Sequence, residues 1–221
     1  MKGYIRMKKK NKVNGTIKYT GKYIQLSRDE LMHTMDQSMS SRRFKHVQRV
    51  EKTALELAER YGVEKEKVSI AALAHDYAKE RPDEEMRDLI ISENLDLDML
   101  QFGTNIWHGP IGAVLMRNEF GLEEEDIFEA IAYHTIGSPE MKEVAQIIYV
   151  ADFIEPKRAF KGVDLARELA DKDLRQTIAY ISSHTLSHLL RRKNKIYPRA
   201  IETYNAWAVS HKEEHNDSFV Y

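Results

Sequence analysis

Apolar residues recur at helical spacing along most of the chain from residue 27 onward. Ser27 and Glu30 form a capping box, a pattern that predicts the start of a first short helix. A second helix is predicted to begin near Ser40 and to end at Gly62. Its apolar positions follow a period of about 3.6 residues, and they are Phe44, Val47, Val50, Ala54, Leu57, Ala58 and Tyr61.

The remaining elements are also predicted to be helices. Ser138-Pro139 resembles an N-cap followed by proline at the first helical position, which predicts a helix that ends before Pro156. The other predicted helices cover about 64–79, 83–94, 109–120, 123–134, 165–193 (with a break near Asp171) and 198–212. The sequence therefore predicts an all-α fold, a single helical bundle over residues 27–212.

The two ends of the chain are predicted to lie outside this bundle, as a leader of residues 1–26 and a tail of residues 213–221. From Met1 to Arg28 there are nine Lys or Arg residues and no Asp or Glu. The leader is thus basic, and it is expected to be flexible. A solvated tail and a phosphate-seeking arm both remain open for it.

Composition narrows the class of protein. A length of 221 residues fits one domain, and a net charge of −1 argues against nucleic acid or an anionic membrane as a partner. No apolar run approaches the roughly 20 residues that span a bilayer, and a signal-peptide core is missing, so the cytoplasm is the expected location. Because the chain has no cysteine, a metal would need nitrogen and oxygen ligands, which suits zinc, iron, manganese or magnesium.

Two aspartates lie in strongly apolar segments, where an ionised carboxylate is costly unless a cation neutralises it. His75-Asp76 lies within the apolar stretch 70–78, and Asp152 lies within 147–154, the most apolar stretch of the protein. Ion pairs could explain each aspartate singly, Asp76 with Lys79 and Asp152 with Lys157 or Arg158.

Histidines from other predicted helices complete a pattern of the form H…HD…H…H…D, with His46, His108 and His134. A divalent cation would offset the burial of both carboxylates and would bind neutral imidazoles. It would also lower the pKa of a bound water to about 7. The combination predicts a metal site, although each residue alone has an ordinary structural explanation.

Basic residues flank these positions and predict a polyanionic substrate. Arg43 lies one helical turn before His46, Lys79 one turn after His75, and Arg158 just after the helix of Asp152. Arg199 follows Pro198 at a predicted helix start, where backbone N–H groups also attract anions.

Other histidines fit structural roles. His184 and His188 are spaced i, i+4 and could chelate a metal, but no acidic residue accompanies them on an amphipathic helix. Surface positions are predicted for His33, His211 and His215.

The combined motifs resemble the YqeK-type HD proteins, which are bacterial symmetrical diadenosine tetraphosphate hydrolases. The resemblance covers about residues 40–205 and not the leader. The segments that carry it are 42–46, His75–Glu80, His108-Gly109-Pro110, Tyr133-His134-Thr135, Tyr149–Pro156 and Tyr197–Ala200, where His-Pro-Arg is more usual in the family than Tyr-Pro-Arg.

This resemblance implies an iron site with the ligands His46, His75, Asp76 and Asp152. It also implies that the bound nucleotide is surrounded by Arg43, Lys79, Glu80, Arg81, Pro82, His108, His134, Thr135, Arg158, Lys195, Ile196, Tyr197, Pro198, Arg199 and Ala200. Whether His108 and His134 contact phosphate or complete a second metal site stays open.

The expected reaction is attack of a metal-bound hydroxide on a phosphorus of the tetraphosphate, which yields two ADP molecules. The predicted catalytic residues are Asp76, Lys79, His108 and His134. The metal, Lys79, Arg43 and Arg158 would neutralise charge, and His108 or His134 would protonate the leaving group.

Alternative functions remain. Other HD phosphohydrolases act on deoxynucleotides or guanosine alarmones, HD helices can host a di-iron oxygenase, and the basic leader would suit a nucleotide-sensing or RNA-binding regulator. The HD-GYP class is disfavoured because no Gly-Tyr-Pro segment follows His108. The ligands accept manganese or zinc as well as iron, in one or two ions, and a homodimer is left open.

Overall fold

A computed structural model describes residues 17–209 of the chain, and these residues form helices and loops without a β-strand. The predicted all-α class is confirmed. The helices are α1 (Arg28–Ser38), α2 (Ser41–Tyr61), α3 (Lys65–Ala74), α4 (Asp83–Ser92), α5 (Thr104–Phe120), α6 (Glu125–Tyr133), α7 (Glu143–Ile154), α8 (Val163–Ala170), α9 (Leu174–Arg191) and α10 (Pro198–Trp207), with a short 3₁₀ helix at Leu97–Gln101.

The beginning and end of α2 follow the predicted signals. The Ser40 side chain accepts a hydrogen bond from the Arg43 backbone N–H, which satisfies one of the free donors at the helix start. Gly62 takes a left-handed conformation with φ 74° and donates its N–H to Ala58, as is typical of a helix C-terminus. Ser27 and Glu30 likewise form the expected capping box of α1.

The centre of the bundle is formed by α2, α3, α6 and α7. Helix α2 packs against α3 and α7, while α6 packs against α3, α5 and α7. Nearly every side chain of α3 from Val68 to Ala74 is buried, and so is the stretch Ile147–Ala151 of α7. Because these helices have little exposed face, their polar residues are brought into the interior.

Helix α3 ends at Ala74, five residues before the predicted end. Residues 75–80 instead form successive tight turns, with hydrogen bonds from Tyr77 N to Ala74 O and from Lys79 N to Asp76 O. His75 and Asp76 therefore lie at the C-terminal end of a helix rather than in its middle.

Helix α5 begins at Thr104 rather than at residue 109, so His108 lies inside the helix. Proline is most common at the first helical turn, and for that reason Pro110 indicated a start that is about one turn too late. A Cβ atom on Gly109 would lie 2.5 Å from the Ala132 carbonyl oxygen of α6. Glycine at this position allows the two backbones to approach closely and brings His108 beside the end of α6.

Helix α7 begins at Glu143, four residues after the predicted start at Pro139, and the following helical segment is divided into α8 and α9 near Asp171, as predicted. Helix α10 ends at Trp207, whereas the prediction extended to residue 212.

Residues 17–26, which were assigned to the leader, pack on the bundle in the structure. Tyr19, Tyr23 and Ile24 are buried, and the Tyr19 hydroxyl hydrogen-bonds to Ser69 at 2.8 Å. Their aromatic and apolar side chains outweigh the basic charge that suggested a solvated segment. The rest of the leader and the tail lie outside the described residues.

Candidate metal centre

Six side chains converge where α2, α3, α5, α6 and α7 meet. They form three overlapping groups, within each of which the ligand atoms lie within 4.8 Å of one another. Five of the six are buried, and Asp152 is half-buried. The residues are His46 on α2, His75 and Asp76 after α3, His108 on α5, His134 after α6 and Asp152 on α7.

The Asp76 carboxylate lies between two pairs of histidines. Its Oδ2 atom is 3.5 Å from His75 Nε2 and 3.7 Å from His46 Nε2. Its Oδ1 atom is 3.5 Å from His108 Nε2 and 3.8 Å from His134 Nε2. One carboxylate therefore faces two separate sets of imidazole nitrogens.

Asp152 joins the first of these sets. Its Oδ1 atom lies 3.0 Å from His46 Nε2 and 4.0 Å from His75 Nε2. These distances make His46, His75, Asp76 and Asp152 one candidate ligand set, and Asp76, His108 and His134 a second. The sets adjoin, since His134 also forms a group with His75 and Asp152.

All four imidazoles are oriented through Nδ1. His75 bonds to the Ala72 carbonyl at 2.7 Å, His108 to Thr104 at 2.9 Å, and His134 to Ile131 at 2.8 Å. Since a carbonyl oxygen can only accept, these three Nδ1 atoms carry the hydrogen and leave the Nε2 lone pair directed into the site.

The remaining Nε2 atoms fit a bound cation. Within residues 17–209, His46 Nε2 and His75 Nε2 are buried without a hydrogen-bond partner. His108 Nε2 and His134 Nε2 are 3.0 Å apart, and in the described part of the chain only the Thr135 hydroxyl lies close enough to donate to them. Buried acceptors that face carboxylates and one another are explained by a metal ion that they share, and this donor set of imidazole and carboxylate suits a divalent metal.

Burial shifts the imidazoles toward the neutral form that a metal requires. It lowers the pKa of His75, lowers that of His108 well below its ordinary value, and lowers that of His134 to about 4. Burial alone would raise the pKa of Asp152, but the adjacent His46 imidazole and the charge of Arg158 hold it well below its ordinary value.

The ring of the fourth histidine, His46, is oriented by the carboxylate of Glu155. The sequence did not indicate this role of Glu155. Its Oε1 atom is 3.2 Å from His46 Nδ1, and its Oε2 accepts a 2.6 Å hydrogen bond from Arg49 Nε and one from the Lys157 backbone N–H. Burial opposes ionisation of Glu155, yet the bonds from Arg49 outweigh it and lower its pKa to about 2. A charged carboxylate behind a ligating histidine raises the ligand's basicity and fixes its ring.

Three of the predicted phosphate-binding cations border this cluster. Arg43 Nη1 is 2.7 Å from Asp76 Oδ2, and Arg158 donates to both the backbone and the side chain of Asp152. Lys79 Nζ donates to Asn105 Oδ1 at 3.1 Å and lies 3.3 Å from His108 Nδ1. Asp76 is thus paired with Arg43 rather than with Lys79, whereas the alternative pair of Asp152 with Arg158 is present.

A protein-family model described as "HD domain" matches residues 43–157, a range that contains all six converging residues. The chain belongs to the HD domain family. Curated relatives of this HD domain include the "Bis(5'-nucleosyl)-tetraphosphatase, symmetrical" of Bacillus subtilis, which is 43% identical over 84% of this chain and 99% of the relative. The protein of the same description from Halalkalibacterium halodurans is 37% identical over 85% of this chain and 100% of the relative.

A crystal structure described as that of a "predicted HD superfamily hydrolase involved in NAD metabolism" from Clostridium acetobutylicum matches this HD domain with a TM-score of 0.79. It is 33% identical in sequence, and the match covers 82% of this chain and 97% of that one. The predicted family, the YqeK-type HD proteins, is therefore confirmed.

Residues 80–82, which follow His75-Asp76 and were predicted to surround the nucleotide, make structural contacts in this HD domain. Glu80 accepts hydrogen bonds from the backbone and hydroxyl of Ser40 and so holds the start of α2. Arg81 pairs with Glu85 and with Glu119, and Pro82 forms the N-terminal boundary of α4. Of the predicted residues 79–82, Lys79 faces the metal centre most directly.

In the predicted segment 195–200, Arg199 contacts the residue that precedes the candidate ligand His134. The Arg199 guanidinium lies 4.5 Å from the ring centre of Tyr133, the residue before His134. Tyr197, at the position where the resemblance implies a histidine, is buried, and its hydroxyl hydrogen-bonds to Asp96. Of the other residues, Lys195 bonds to the Gln101 carbonyl, Pro198 begins α10, Ala200 is buried and Ile196 is half-buried.

The histidines outside the centre occupy other positions. His184 Nε2 lies 3.0 Å from the Lys161 carbonyl oxygen, while His188 and His33 are exposed. His211 and His215 lie outside the described residues. Among helices of residues 17–209, none combines the length and apolar character needed to cross a membrane.

Proposed function

We propose that this protein is a metal-dependent hydrolase that cleaves diadenosine tetraphosphate symmetrically into two ADP molecules. One observation carries the proposal: six ligand residues, five of them buried and one half-buried, present nitrogen and oxygen atoms to a common centre, with three cations at its border. The names of the relatives supply the substrate, because two of them are called symmetrical bis(5'-nucleosyl)-tetraphosphatases. This substrate class also supports a cytoplasmic location.

The proposed metal ligands fall into two sets that share Asp76. One set is His46, His75, Asp76 and Asp152, and the other is Asp76, His108 and His134. A divalent cation bound by such residues lowers the pKa of a water ligand toward neutrality and withdraws charge from a phosphate oxygen. The two-sided position of Asp76 supports a site for two ions. Iron is proposed from the family resemblance, and the same donors accept manganese or zinc.

The protein's own contribution to phosphoryl transfer is positioning and charge neutralisation. Arg43, Lys79 and Arg158 lie at different edges of the ligand cluster, and each carries a cationic group. A tetraphosphate bound across this cluster would meet positive charge at several points. Cleavage of the central bond is inferred from the names of the relatives, because symmetrical hydrolysis of a dinucleoside tetraphosphate yields two nucleoside diphosphates.

The proton for the leaving phosphate depends on how His108 and His134 are used. If only the first set binds a metal, the Nε2 lone pair of either histidine faces the reaction centre, where it can accept a proton from the attacking water and then pass that proton to the leaving phosphate. If both sets bind, these two nitrogens are ligands, and Lys79 is the cation beside His108 that compensates the leaving charge.

The test is product identification with protein purified anaerobically and analysed for metal. Incubation with diadenosine tetraphosphate should yield ADP as the sole nucleotide product, and a panel of deoxynucleotides and guanosine nucleotides should be cleaved poorly. Equal amounts of ATP and AMP would show asymmetric cleavage and contradict the proposal.

Asp76→Asn is the matching variant, with the exposed Asp88→Asn as its control. Asp76→Asn should lose most of its metal and its turnover, because an amide cannot neutralise a cation or serve both ligand sets. Asp88→Asn should retain both properties. A soluble, folded Asp76→Asn protein with normal turnover would refute the metal centre.

A further inference from the structure

Four aromatic side chains gather at the C-terminal end of α7, beside α9. The Phe160 ring is 4.8 Å from that of Phe153 in an edge-on arrangement, and 5.8 Å from that of His184. Tyr180 lies beside His184, at 5.9 Å. We call Phe153, Phe160, Tyr180 and His184 the aromatic cluster. Among the phenylalanines of residues 17–209, Phe160 alone is exposed, at 37%.

The loop that carries Phe160 is held by polar contacts to its backbone. Arg167 donates to the carbonyl oxygens of Ile154, Glu155 and Arg158 at 2.9–3.1 Å. The Tyr180 hydroxyl donates to Gly162 O at 3.0 Å. Because these bonds fix the course of the loop, the outer face of Phe160 is left as apolar surface on a rigid support.

This loop adjoins the metal centre. Arg158, two residues before Phe160, is bonded to the candidate ligand Asp152, and Phe153 directly follows Asp152. From the ring separation, the Cα spacing and the length of a phenylalanine side chain, the Phe160 ring lies within about 12 Å of the Asp152 Cα. One nucleoside with its nearest phosphates can span such a distance.

The loop also has the composition of a nucleotide-binding surface. Residues 156–162 include Lys157, Arg158 and Lys161 and no acidic residue. Proteins that bind single-stranded nucleic acid combine two elements. Basic side chains line the path of the phosphates, and an aromatic side chain stacks with a base.

We propose that the exposed face of Phe160 stacks with one of the two adenines of the dinucleotide, whose phosphates then pass Arg158 toward the metal centre. This inference rests on the proposed function, since a symmetrical dinucleotide needs two nucleoside subsites. The other adenine belongs at the segment 195–200, where Arg199 lies over Tyr133 beside His134. The two subsites thus adjoin different ligands, Asp152 and His134.

The experiment compares steady-state kinetics of the full-length protein with Phe160→Leu, which keeps apolar packing but removes the aromatic face. We expect the KM for diadenosine tetraphosphate to rise by about five- to tenfold, which is the lower end of the effect of one base–aromatic stack. Phe160→Trp should restore the wild-type KM. Phe128→Leu, at a half-buried aromatic on α6, is the matched control and should leave the KM unchanged.

Adenosine 5'-tetraphosphate, used as a competing ligand, separates stacking from a general loss of the site. With a single base it can still occupy the other subsite in Phe160→Leu, so its inhibition constant should change less than the KM of the dinucleotide. Equal losses for the two ligands would overturn the assignment.

Other outcomes also decide the question. An unchanged KM, or a lower kcat and metal content at constant KM, would mean that Phe160 only supports the loop and would overturn the inference. Wild-type protein that leaves the dinucleotide intact would instead refute the proposed function itself, before any variant is compared.

Discussion

His108 Nε2 and His134 Nε2 lie 3.0 Å apart in the interior, although both rings donate their Nδ1 hydrogens to backbone carbonyls. Two ligand atoms at right angles, each about 2.1 Å from one ion, would be about 3 Å apart. The pair therefore has the spacing of neighbouring ligands on a metal, and Asp76 Oδ1 faces both nitrogens.

This relationship predicts the metal stoichiometry. Reconstituted wild-type protein should bind two divalent ions per chain, and His108→Ala should bind about one, because the first set keeps all four of its ligands. Metal analysis after gel filtration measures the ratio. One ion per chain in the wild-type protein would assign His108 and His134 to phosphate or proton transfer instead.

Glu155→Gln should weaken metal binding by roughly 10- to 100-fold, since loss of an outer carboxylate removes the charge that orients and strengthens a ligating histidine. The direct ligands are unchanged, so the folded structure should persist. Titration with metal while activity is followed would measure the shift. Glu56→Gln, at an exposed position on the same helix as His46, is the control and should titrate like wild type.

The hydrogen bonds of Arg167 predict that its substitution reduces catalysis, although Arg167 is not one of the candidate site residues. Arg167→Ala removes three hydrogen bonds to backbone carbonyls around the end of α7 and should displace Arg158 from Asp152. A displacement of about 1 Å can reduce turnover by about 100-fold. We expect kcat/KM to fall at least tenfold, Arg167→Lys to recover only part of it, and the exposed Arg191→Ala to have no effect. Wild-type kinetics in Arg167→Ala would contradict this role.

Substitution of two glycines of α5 by alanine should have different effects on the free energy of unfolding. Gly109→Ala places a Cβ atom 2.5 Å from the Ala132 carbonyl and should lower the free energy of unfolding by about 1–3 kcal/mol. At Gly112 the nearest atoms are 3.7 Å away, and Ala should be neutral or stabilise the helix by up to about 1 kcal/mol. Denaturant unfolding measures both variants, and equal effects would contradict the close approach of α5 and α6.

The sequence predicted the helical class and the six converging residues because periodicity and buried carboxylates are properties of the chain itself. It misplaced the start of α5 because Pro110 is tolerated within a helix whose upstream turns are stabilised by tertiary contacts, including a hydrogen bond from Trp107 to Met99 O. It did not indicate the role of Glu155, since Arg49, Glu155 and His46 meet only after α2 and α7 pack together.

The packing of residues 17–26 was likewise not predictable from the sequence, because it depends on tertiary contacts. Their lysines suggested solvent, whereas Tyr19 joins a buried polar network in which Ser69 and Arg28 both donate to Glu51. The burial of Tyr19 and Tyr23 becomes evident only from the residues that pack against them in the folded structure.

Three of the four imidazoles take their orientation from the carbonyl oxygen of a residue three or four positions earlier in the same segment. Local backbone geometry alone therefore selects which ring nitrogen points inward, whatever side chains surround it. Substitutions of neighbouring side chains should therefore leave the orientation of these three rings unchanged. His46 is the exception, because its ring is held by a side chain 109 residues away, and any change in how α2 packs on α7 would reach the metal through it.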